Sequence, residues 1–351
     1  MHKNYKITVC VPTYNRYKDL SNLIQTFLNQ DYRDSNLLIL DDLGSSNIEK
    51  IAMRWMKKSK RIKYKKNKKN LGYSNNMRQA FQFADGDIIV FMGDDDIFVD
   101  NHALSLISKA FNKSNIGVAK ASQIIFKNGR VNQVYPLKQH KPGIIYYKKG
   151  KDTYENLWFE SLSISGLAFR NTQFVKELVN NSITLYPQVE LMGLVCLTYG
   201  SAEINKHIIG VQSHSGQLNC VTYTLNGKMT NIVEDWLNIF FRIQDYAIDN
   251  NLSFINRNNF IDNFSRFIYI FFPYNSLNSG RASSFSLLKL ILKYNKEILY
   301  IPGFWAVTIS SLFLPDEILK FLMEKIKRRR LLKILNQDEI KDYNYLLSSY
   351  Y

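Results

Sequence analysis

Cysteine is scarce in this chain, with three residues in 351, at Cys10, Cys196 and Cys220. Three scattered thiols cannot form a disulfide framework or a cysteine-rich zinc site, which fits a reducing compartment. No stretch reaches the roughly 18 uninterrupted apolar residues of a spanning helix. The first residues also lack the apolar core of a secretory signal peptide. The sequence therefore predicts a cytoplasmic protein that is neither exported nor threaded through a bilayer.

The chain is rich in positive charge. Its 46 Lys and Arg exceed its 30 Asp and Glu, which gives a formal net charge of +16. A charge of this size indicates an anionic partner, and nucleic acid, an anionic membrane face and phosphorylated substrates all qualify. The apolar fraction of 46% argues against disorder, and the length allows one large domain with a smaller appendage.

Between Tyr5 and about Phe126, short apolar runs alternate with amphipathic segments, the pattern of βαβ units around a parallel sheet. We expect strands at 7–11, 37–40, 61–64, 88–92 and 116–126, and helices at 19–30, 48–56, 75–83 and 103–111. Further helices are expected at 153–160, 172–179 and 187–199, with mainly helical structure from about Met229 onward. The pattern predicts an α/β fold followed by a helical C-terminal region.

The acidic cluster Asp94-Asp95-Asp96 follows the expected strand 88–92. In an open parallel sheet, ligands bind beyond the carboxyl ends of the strands. Three adjacent carboxylates repel one another, so a fold holds them together chiefly where a hard cation such as Mg²⁺ or Mn²⁺ neutralises them. The alternative is an acidic loop before a helix, whose N-terminus favours negative charge. The residues alone support a metal site and an acidic loop about equally.

Four motifs occur in order along the first part of the chain. They are Val11-Pro12-Thr13-Tyr14-Asn15-Arg16, Asp41-Asp42, Asn70-Leu71-Gly72 and the run from Gly86 to Phe98. Together they resemble the family 2 glycosyltransferases with the GT-A fold, which implies a mostly parallel GT-A sheet flanked by helices. On this basis we expect a GT-A domain at 1–225, divided into a nucleotide-binding half at 1–125 and an acceptor-binding half at 126–225. A helical region is expected at 226–351.

The resemblance also implies a donor site. Tyr14 would lie beside the nucleotide base, and Asp41 would accept a hydrogen bond from a uracil ring N–H, which favours a UDP-sugar. Asp95, with Asp94 or Asp96, would hold Mn²⁺ or Mg²⁺. Apart from the resemblance, His214 lies in a small polar loop after a probable strand and could reach the metal or the diphosphate, and a solvated loop histidine is the alternative. The sequence departs from the family at Gly93, where an aspartate is usual. The full set of donor-binding residues predicted in this way is Pro12, Thr13, Tyr14, Arg16, Asp41, Asn70, Gly72 and Asp94.

An inverting sugar transfer needs a general base to take the proton of the acceptor hydroxyl. Glu190 stands where the family has its base, and the alternative is an ordinary glutamate in the first turn of a helix. Acceptor contacts are predicted for Trp158, Gly166 and Arg170, although core packing is the alternative for the Trp158 ring. The reserve candidates for the base are Asp152, Glu155 and Glu160.

Two basic runs lie at 57–69 and 325–333, and the apolar segment 299–314 precedes the second. The apolar segment is too short to cross a bilayer. We expect it to insert shallowly into an anionic membrane face while the basic run 325–333 binds the lipid charge. The alternative is that 299–314 is a buried helix of the second domain or an oligomer interface.

The leading interpretation is an enzyme that moves one sugar, with inversion, from a UDP-sugar to a saccharide or lipid-linked saccharide in surface polysaccharide or oligosaccharide biosynthesis. The net charge and the abundant Tyr and Phe would also fit a nucleic-acid-binding protein, which leaves the acidic cluster unexplained. A nucleotidyltransferase would use the same type of acidic metal site. We expect a nucleotide-sugar and a saccharide acceptor as ligands and no nucleic acid, and we leave a homo-oligomer open.

Overall fold

The computed structural model describes residues 4–134, 137–139, 141–180, 184, 186–213, 222–225, 228–252 and 272–350. The strands are β1 Ile7–Thr13, β2 Ser35–Asp41, β3 Ile62–Lys66, β4 Ile88–Phe91, β5 Ile97–Phe98, β6 Ile116–Lys127, β7 Arg130–Val134, β8 Gly143–Tyr147, β9 Leu167–Arg170, β10 Gly200–Gln212, β11 Thr222–Leu225 and β12 Lys228–Asn231. The helices of the first part of the chain are α1 Leu20–Leu28, α2 Ser46–Lys58, α3 Tyr73–Phe83, α4 Ala103–Ala110, α5 Lys151–Asn156, α6 Gln173–Asn180 and α7 Pro187–Thr198. The later helices are α8 Ile232–Asp249, α9 Phe272–Ser279, α10 Arg281–Tyr294, α11 Pro302–Phe313, α12 Asp316–Ile334 and α13 Gln337–Ser348, and 3₁₀ turns lie at Trp158–Leu162 and Lys296–Tyr300.

A ten-stranded mixed sheet organises the molecule, in the order β3-β2-β1-β4-β9-β6-β10-β5, with β7 beside β6 and β8 beside β10. Strands β3, β2, β1 and β4 are parallel, and β9 runs antiparallel between β4 and β6. Both β1 and β4 are buried along their whole length, as expected for parallel strands covered on both faces. The predicted α/β sheet with flanking helices is confirmed. The sheet is mixed and not mostly parallel, because four of its strand pairings are parallel and five are antiparallel.

The C-terminal helices pack on the sheet domain. Phe272 of α9 and Phe304 of α11 belong to the same buried cluster as Phe91 of β4 and Trp158. At the other side, Leu331 and the following helix α13 pack on β7. The helical region therefore extends the core of the sheet domain, because it shares that core at two places.

The hairpin β11–β12 interrupts the expected helical region at its start. Met229 lies in β12, so the described helical structure begins at Ile232 and not at Met229. The domain boundary expected between residues 225 and 226 falls between the two strands of this hairpin. The proposed division of the chain stays a prediction.

The apolar segment 299–314 forms the end of a 3₁₀ turn and helix α11. One side of the helix is buried through Phe304 and Leu312, so the alternative of a core helix holds for that side. The adjoining face, about 100° round the helix, is exposed through Ile309 and Phe313. No helix within the described part of the chain is both long enough and apolar enough to cross a membrane.

Candidate donor and acceptor site

The carboxyl ends of three parallel strands meet at one edge of the sheet. Thr13 at the end of β1 pairs with Asp41 at the end of β2, and Met92, just after β4, donates its N–H to Cys10 O at 3.0 Å. The Thr13 hydroxyl donates to Asp94 Oδ2 at 2.6 Å. The structure therefore brings the first, second and fourth motifs together, as the positions of the strand ends predict.

Arg16 binds the acidic loop 94–96 from the β1 side. Its guanidinium lies 2.6 Å from Asp94 Oδ1 and 3.0 Å from Asp95 Oδ2. The Asp94 and Asp95 side chains are 1% and 6% exposed, whereas that of Arg16 is 49% exposed. A half-exposed cation thus neutralises two buried carboxylates, which would otherwise be costly to ionise.

Asp96 turns the other way and is held by the opposite side of the site. It accepts hydrogen bonds from the Ser165 hydroxyl and, at 2.9 Å, from the backbone N–H of Gln212. The same Ser165 oxygen accepts the Gly93 N–H at 2.8 Å. A Cβ on Gly93 would lie 2.7 Å from Asp96 Oδ2. The departure from the family at Gly93 therefore has a steric reason, since a side chain there would displace Asp96.

Two carboxyls of the acidic loop, those of Asp94 and Asp96, hold protons more tightly than ordinary aspartates do. Burial raises the pKa of Asp94 to about 6, although the Arg16 charge and the Thr13 hydrogen bond act in the opposite direction. Burial and repulsion from the Asp95 charge raise the pKa of Asp96 to about 7. Both carboxyls therefore change charge near neutral pH, and a neighbouring cation favours their ionised form.

The three carboxylates have the chemistry that Mg²⁺ and Mn²⁺ prefer. Their present contacts do not form a metal site, because Arg16 binds Asp94 and Asp95 while Ser165 and the Gln212 N–H bind Asp96. No three His, Cys, Asp or Glu side chains converge on one point in the described part of the chain. His214, the predicted fourth ligand, lies outside the described residues.

A hydrogen bond joins the loops that follow β1 and β2. Asp41 is fully buried and accepts the Tyr64 hydroxyl and the Gly44 N–H, each at 2.6 Å. Asn15 accepts the Ser45 N–H at 2.8 Å through its side-chain oxygen. Leu43 adopts a left-handed conformation with φ 60°, which is strained for a side chain of this kind. This strained residue lies two positions after the buried Asp41, in the loop where the donor base is expected.

Tyr14 is the exposed member of the predicted base contacts. Its side chain is 50% exposed, so its ring is available to a ligand, whereas Pro12 and Thr13 are buried in β1. Asn70 and Gly72 lie on the neighbouring loop, where the Gly72 N–H donates to Asn70 Oδ1 at 2.9 Å. Gly72 has a φ of 77°, which favours glycine.

Asp42 ties the loop of Asn70 and Gly72 to the end of β2. Its carboxylate accepts the Leu71 N–H at 2.7 Å and the Gly72 N–H at 2.8 Å. The Asn67 side chain donates to the same carboxylate at 2.9 Å. The third motif is therefore brought to the same edge of the sheet as the others.

Glu190, the predicted base, is in the first turn of α7 and is 1% exposed. Its Oε1 lies 2.8 Å from the guanidinium of Arg242 on α8, and its Oε2 accepts the Thr184 hydroxyl at 3.2 Å. The ion pair with Arg242 fixes the position of the carboxylate, as the role of a positioned base requires. The same contacts are also those of a structural ion pair, so the catalytic role stays a prediction.

The reserve candidates for the base have other contacts. Asp152 accepts the Lys148 N–H at 2.7 Å, and Glu155 lies 3.6 Å from Lys151. Burial raises the pKa of Glu160, opposed by the charges of Lys120 and Lys138.

Two of the predicted acceptor residues require correction. Trp158 is 1% exposed and donates its ring N–H to Val189 O at 2.9 Å, so it is a core residue and not a sugar contact. Arg170 pairs with Ile88 at the start of β4, the end of the strand opposite the acidic loop. Gly166 does lie at the acidic loop end, where its N–H donates to Phe91 O at 2.9 Å, but it is buried.

Lys120 of β6 is a site residue that sequence reasoning missed. It is buried, and its ammonium group donates to Ser163 O at 2.6 Å and Ser165 O at 2.7 Å. It thereby fixes the segment whose Ser165 hydroxyl contacts the acidic loop. Burial lowers the pKa of Lys120 to about 7, against the opposing charges of Glu160 and Asp96.

Residues 8–172 match the family model described as Glycosyl transferase family 2. Residues 8–172 therefore carry a family 2 glycosyltransferase domain. The matched segment contains all four motifs and the acidic loop, and it ends before Glu190. The predicted family is confirmed for this segment.

Named relatives are each similar to a part of this chain. A GalNAc(5)-diNAcBac-PP-undecaprenol beta-1,3-glucosyltransferase of Campylobacter jejuni is 31% identical over 106 residues, 30% of this chain and 34% of that protein. The Escherichia coli enzyme WfgD, a UDP-Glc:alpha-D-GlcNAc-diphosphoundecaprenol beta-1,3-glucosyltransferase, is 28% identical over 128 residues, 36% of this chain and 49% of that protein. The chain thus spans a third to a half of the length of these curated relatives.

Solved structures resemble the whole fold. S. aureus TarS 1–349 in complex with UDP-GlcNAc covers 98% of this chain and 91% of its own, with a TM-score of 0.54 and 16% identity. GalNAc-T7 with UDP, GalNAc and Mn²⁺ covers 71% of this chain and 55% of its own, with a TM-score of 0.51 and 10% identity. At these identities the likeness shows the fold, and the predicted GT-A type is confirmed.

Proposed function

We propose that this protein transfers a sugar from a UDP-sugar to a lipid-linked saccharide, with inversion at the anomeric carbon, in the biosynthesis of a surface polysaccharide or oligosaccharide. The observation that carries the proposal is the joining of three motifs at one sheet edge. There, Thr13 and Arg16 contact the acidic loop through Asp94, inside a family 2 domain.

The names of the relatives support the choice of substrates. The C. jejuni and E. coli relatives are both named as glucosyltransferases that act on undecaprenol-diphosphate-linked sugars. WfgD is also named for UDP-Glc, and TarS has been crystallised with UDP-GlcNAc. A uridine nucleotide donor and a lipid-diphosphate acceptor are therefore the first substrates to test, and the sugar itself is open.

Arg16 is the residue that we expect to meet the donor diphosphate. Its guanidinium is half exposed beside Asp94 and Asp95, and arginine matches the paired oxygens of phosphates well. Asp41 would accept the uracil N–H, and the exposed Tyr14 ring would lie against the base. A Mn²⁺ or Mg²⁺ ion stays in the proposal on the chemistry of the carboxylates alone, with Asp95 as its first ligand, and we assign it no step.

Glu190 is our candidate for the base that takes the proton of the acceptor hydroxyl. In a single displacement the hydroxyl oxygen bonds to the anomeric carbon as the bond to the UDP oxygen breaks. The base then carries the proton, and UDP leaves with the electron pair. This order of events inverts the anomeric configuration.

A panel of nucleotide sugars tests the proposal directly. A bound donor raises the temperature of unfolding in proportion to its affinity, so UDP-sugars should raise it more than GDP- or CDP-sugars do, with and without Mn²⁺. Transfer to an undecaprenyl-diphosphate saccharide is then followed by the release of UDP, and NMR of the product gives the anomeric configuration. Retained configuration would rule out the single displacement, and the absence of any UDP effect would remove the donor assignment.

Since the acceptor is anchored in a membrane, we also propose that the protein works as a peripheral protein on the cytoplasmic face of the cell membrane. The basic charge of the chain supports this location.

A further inference from the structure

Helix α11 has one buried face and one exposed face. Phe304 and Leu312 pack inward. Trp305, Ile309 and Phe313 point outward and are 42%, 51% and 71% exposed. Their spacing of four residues places these three side chains on one face of the helix. An aromatic and aliphatic stripe of this kind is costly to leave in water, at roughly 25 cal/mol per Å² of apolar surface.

Helix α12 continues this surface with a face that combines apolar and basic side chains. The exposed members of that face recur at spacings of three and four residues and are Ile318, Phe321, Leu322, Lys325, Ile326, Arg329, Leu332 and Lys333. Glu317 lies four residues before Phe321 and Glu324 three residues after it, so both carboxylates border this face. Basic residues nevertheless predominate on α12, a helix described along its whole length, which carries seven Lys and Arg against three Asp and Glu.

Arg281 of α10 holds the corner between the two helices. It donates to Leu312 O at 2.8 Å and to Leu314 O, and it lies 3.1 Å from Asp316 at the start of α12. These contacts bind the last turn of α11 and the first turn of α12 to one side chain. The outer faces of α11 and α12 are thus held in a fixed relation and can act as one surface.

We propose that these two outer faces form a docking surface for an anionic lipid bilayer. Trp and other large apolar side chains favour the membrane interface, while Lys and Arg bind anionic headgroups. Stable anchoring needs two such signals, and this surface supplies both. The sequence expectation is refined, because part of 299–314 is buried in the core and α12 adds apolar groups of its own. The link to a lipid-linked acceptor rests on the proposed function, whereas the surface itself rests on exposure and charge.

Flotation of the whole chain with vesicles tests the proposal. We expect the protein to float with vesicles of phosphatidylcholine and phosphatidylglycerol, and not with phosphatidylcholine alone. Changing Lys325, Arg329 and Lys333 together to Gln should lower the partition coefficient on the order of 100-fold, since each basic residue near an anionic surface contributes about fivefold. The matched control removes the same charge from the other basic run with Lys57→Gln, Lys60→Gln and Lys68→Gln, and should have a much smaller effect.

The apolar signal is tested separately. Phe313→Ser with Phe321→Ser should reduce partitioning about tenfold or more, whereas Ile248→Ser removes an equally exposed apolar side chain from α8 and should leave it unchanged. On binding, the emission of Trp305 should shift to shorter wavelength and be quenched by brominated acyl chains, and Trp305→Phe should abolish both effects.

Several results would overturn the proposal. They are a wild type that does not float with the anionic vesicles at low salt, surface variants that float as well as the wild type, and controls that lose as much as the surface variants. A dimer that dissociates in the Phe313→Ser, Phe321→Ser variant, without vesicle binding, would assign the surface to a second copy of the chain. UDP binding measured without lipid separates a failure of the proposed function from a failure of docking.

Discussion

Replacing Arg16 with glutamine removes the cation that neutralises Asp94 and Asp95. The loss of one partner of a buried ion pair costs about 3–5 kcal/mol, and of an exposed pair about 0–1 kcal/mol. The Arg16 side chain is 49% exposed while the two carboxylates are buried, so we expect an intermediate cost. At pH 8, where the carboxylates are ionised, Arg16→Gln should lower the free energy of unfolding by about 2 kcal/mol.

The cost of this substitution should depend on pH in a defined direction. Burial raises the folded-state pKa of Asp94 to about 6 from its usual 3.8, so below pH 6 the folded protein holds that carboxyl in its neutral form. A neutral Asp94 carboxyl has no charge for Arg16 to pair with, so the part of the effect of Arg16→Gln that comes from Asp94 should be lost near pH 5, while the contact with Asp95 remains. As the pH rises through 6, the carboxylate appears, and the difference between wild type and variant should grow.

Urea unfolding at pH 5 and pH 8 measures this difference, with Arg130→Gln as the matched control. Arg130 is an exposed arginine at the start of β7, so its loss removes the same charge from the surface. UDP affinity, measured in parallel, should fall about 10- to 100-fold in Arg16→Gln if the guanidinium binds the diphosphate. An equal stability cost at pH 5 and pH 8 would falsify the assigned coupling between Arg16 and the acidic loop.

Three further predictions concern the rest of the site. Asp41→Ala should weaken UDP binding and reduce the preference for UDP over CDP, because the acceptor of the uracil N–H is lost; unchanged discrimination in a competition assay would contradict this role, and Tyr64→Phe is the control that removes only the hydroxyl bonded to Asp41. Glu190→Gln should keep UDP affinity and lower turnover by roughly 10²–10⁴; turnover that falls only in step with the unfolding temperature would indicate a structural ion pair. Lys120→Met should remove a pH-dependent part of the free energy of unfolding. The folded-state pKa of Lys120, about 7, is below the usual 10.5, so between these values the unfolded chain binds more protons than the folded one. The free energy of unfolding of the wild type, measured against the variant, should therefore rise with pH from about 7 to 10.

The nucleotide-binding half of the fold was predictable because its elements have clear periodicity. Strands β1 and β4 are buried on both faces and read as continuous apolar runs, and α1 buries one stripe through residues such as Leu23 and Phe27. The antiparallel strand β9 was not predicted. It is four residues long and lies between β4 and β6, a pairing that depends on contacts distant in the chain.

The part of the candidate site that lies at the ends of the parallel strands was predictable from the sequence. Thr13, Asp41 and Asp94 come together because parallel strands place their carboxyl ends at one edge. Side-chain partners contributed by other segments were not predictable. The Lys120 contact to Ser165 joins residues 45 positions apart. No local spacing rule relates such pairs, so only the folded structure reveals them.

The helical region beyond the matched family segment is joined to the candidate site through one close helix contact. Helix α7, which carries Glu190, is buried nearly all round, and a Cβ on Gly193 would lie 2.3 Å from Ile243 Cδ1 of α8. The missing side chain at Gly193 therefore lets α8 approach α7 closely. That approach brings Arg242, the neighbour of Ile243, to within 2.8 Å of Glu190. A chain cut at the expected boundary of 225 would lose Arg242 and with it this ion pair of a buried carboxylate, which is destabilising. The C-terminal helices therefore contribute a charged partner for Glu190 as well as apolar core residues.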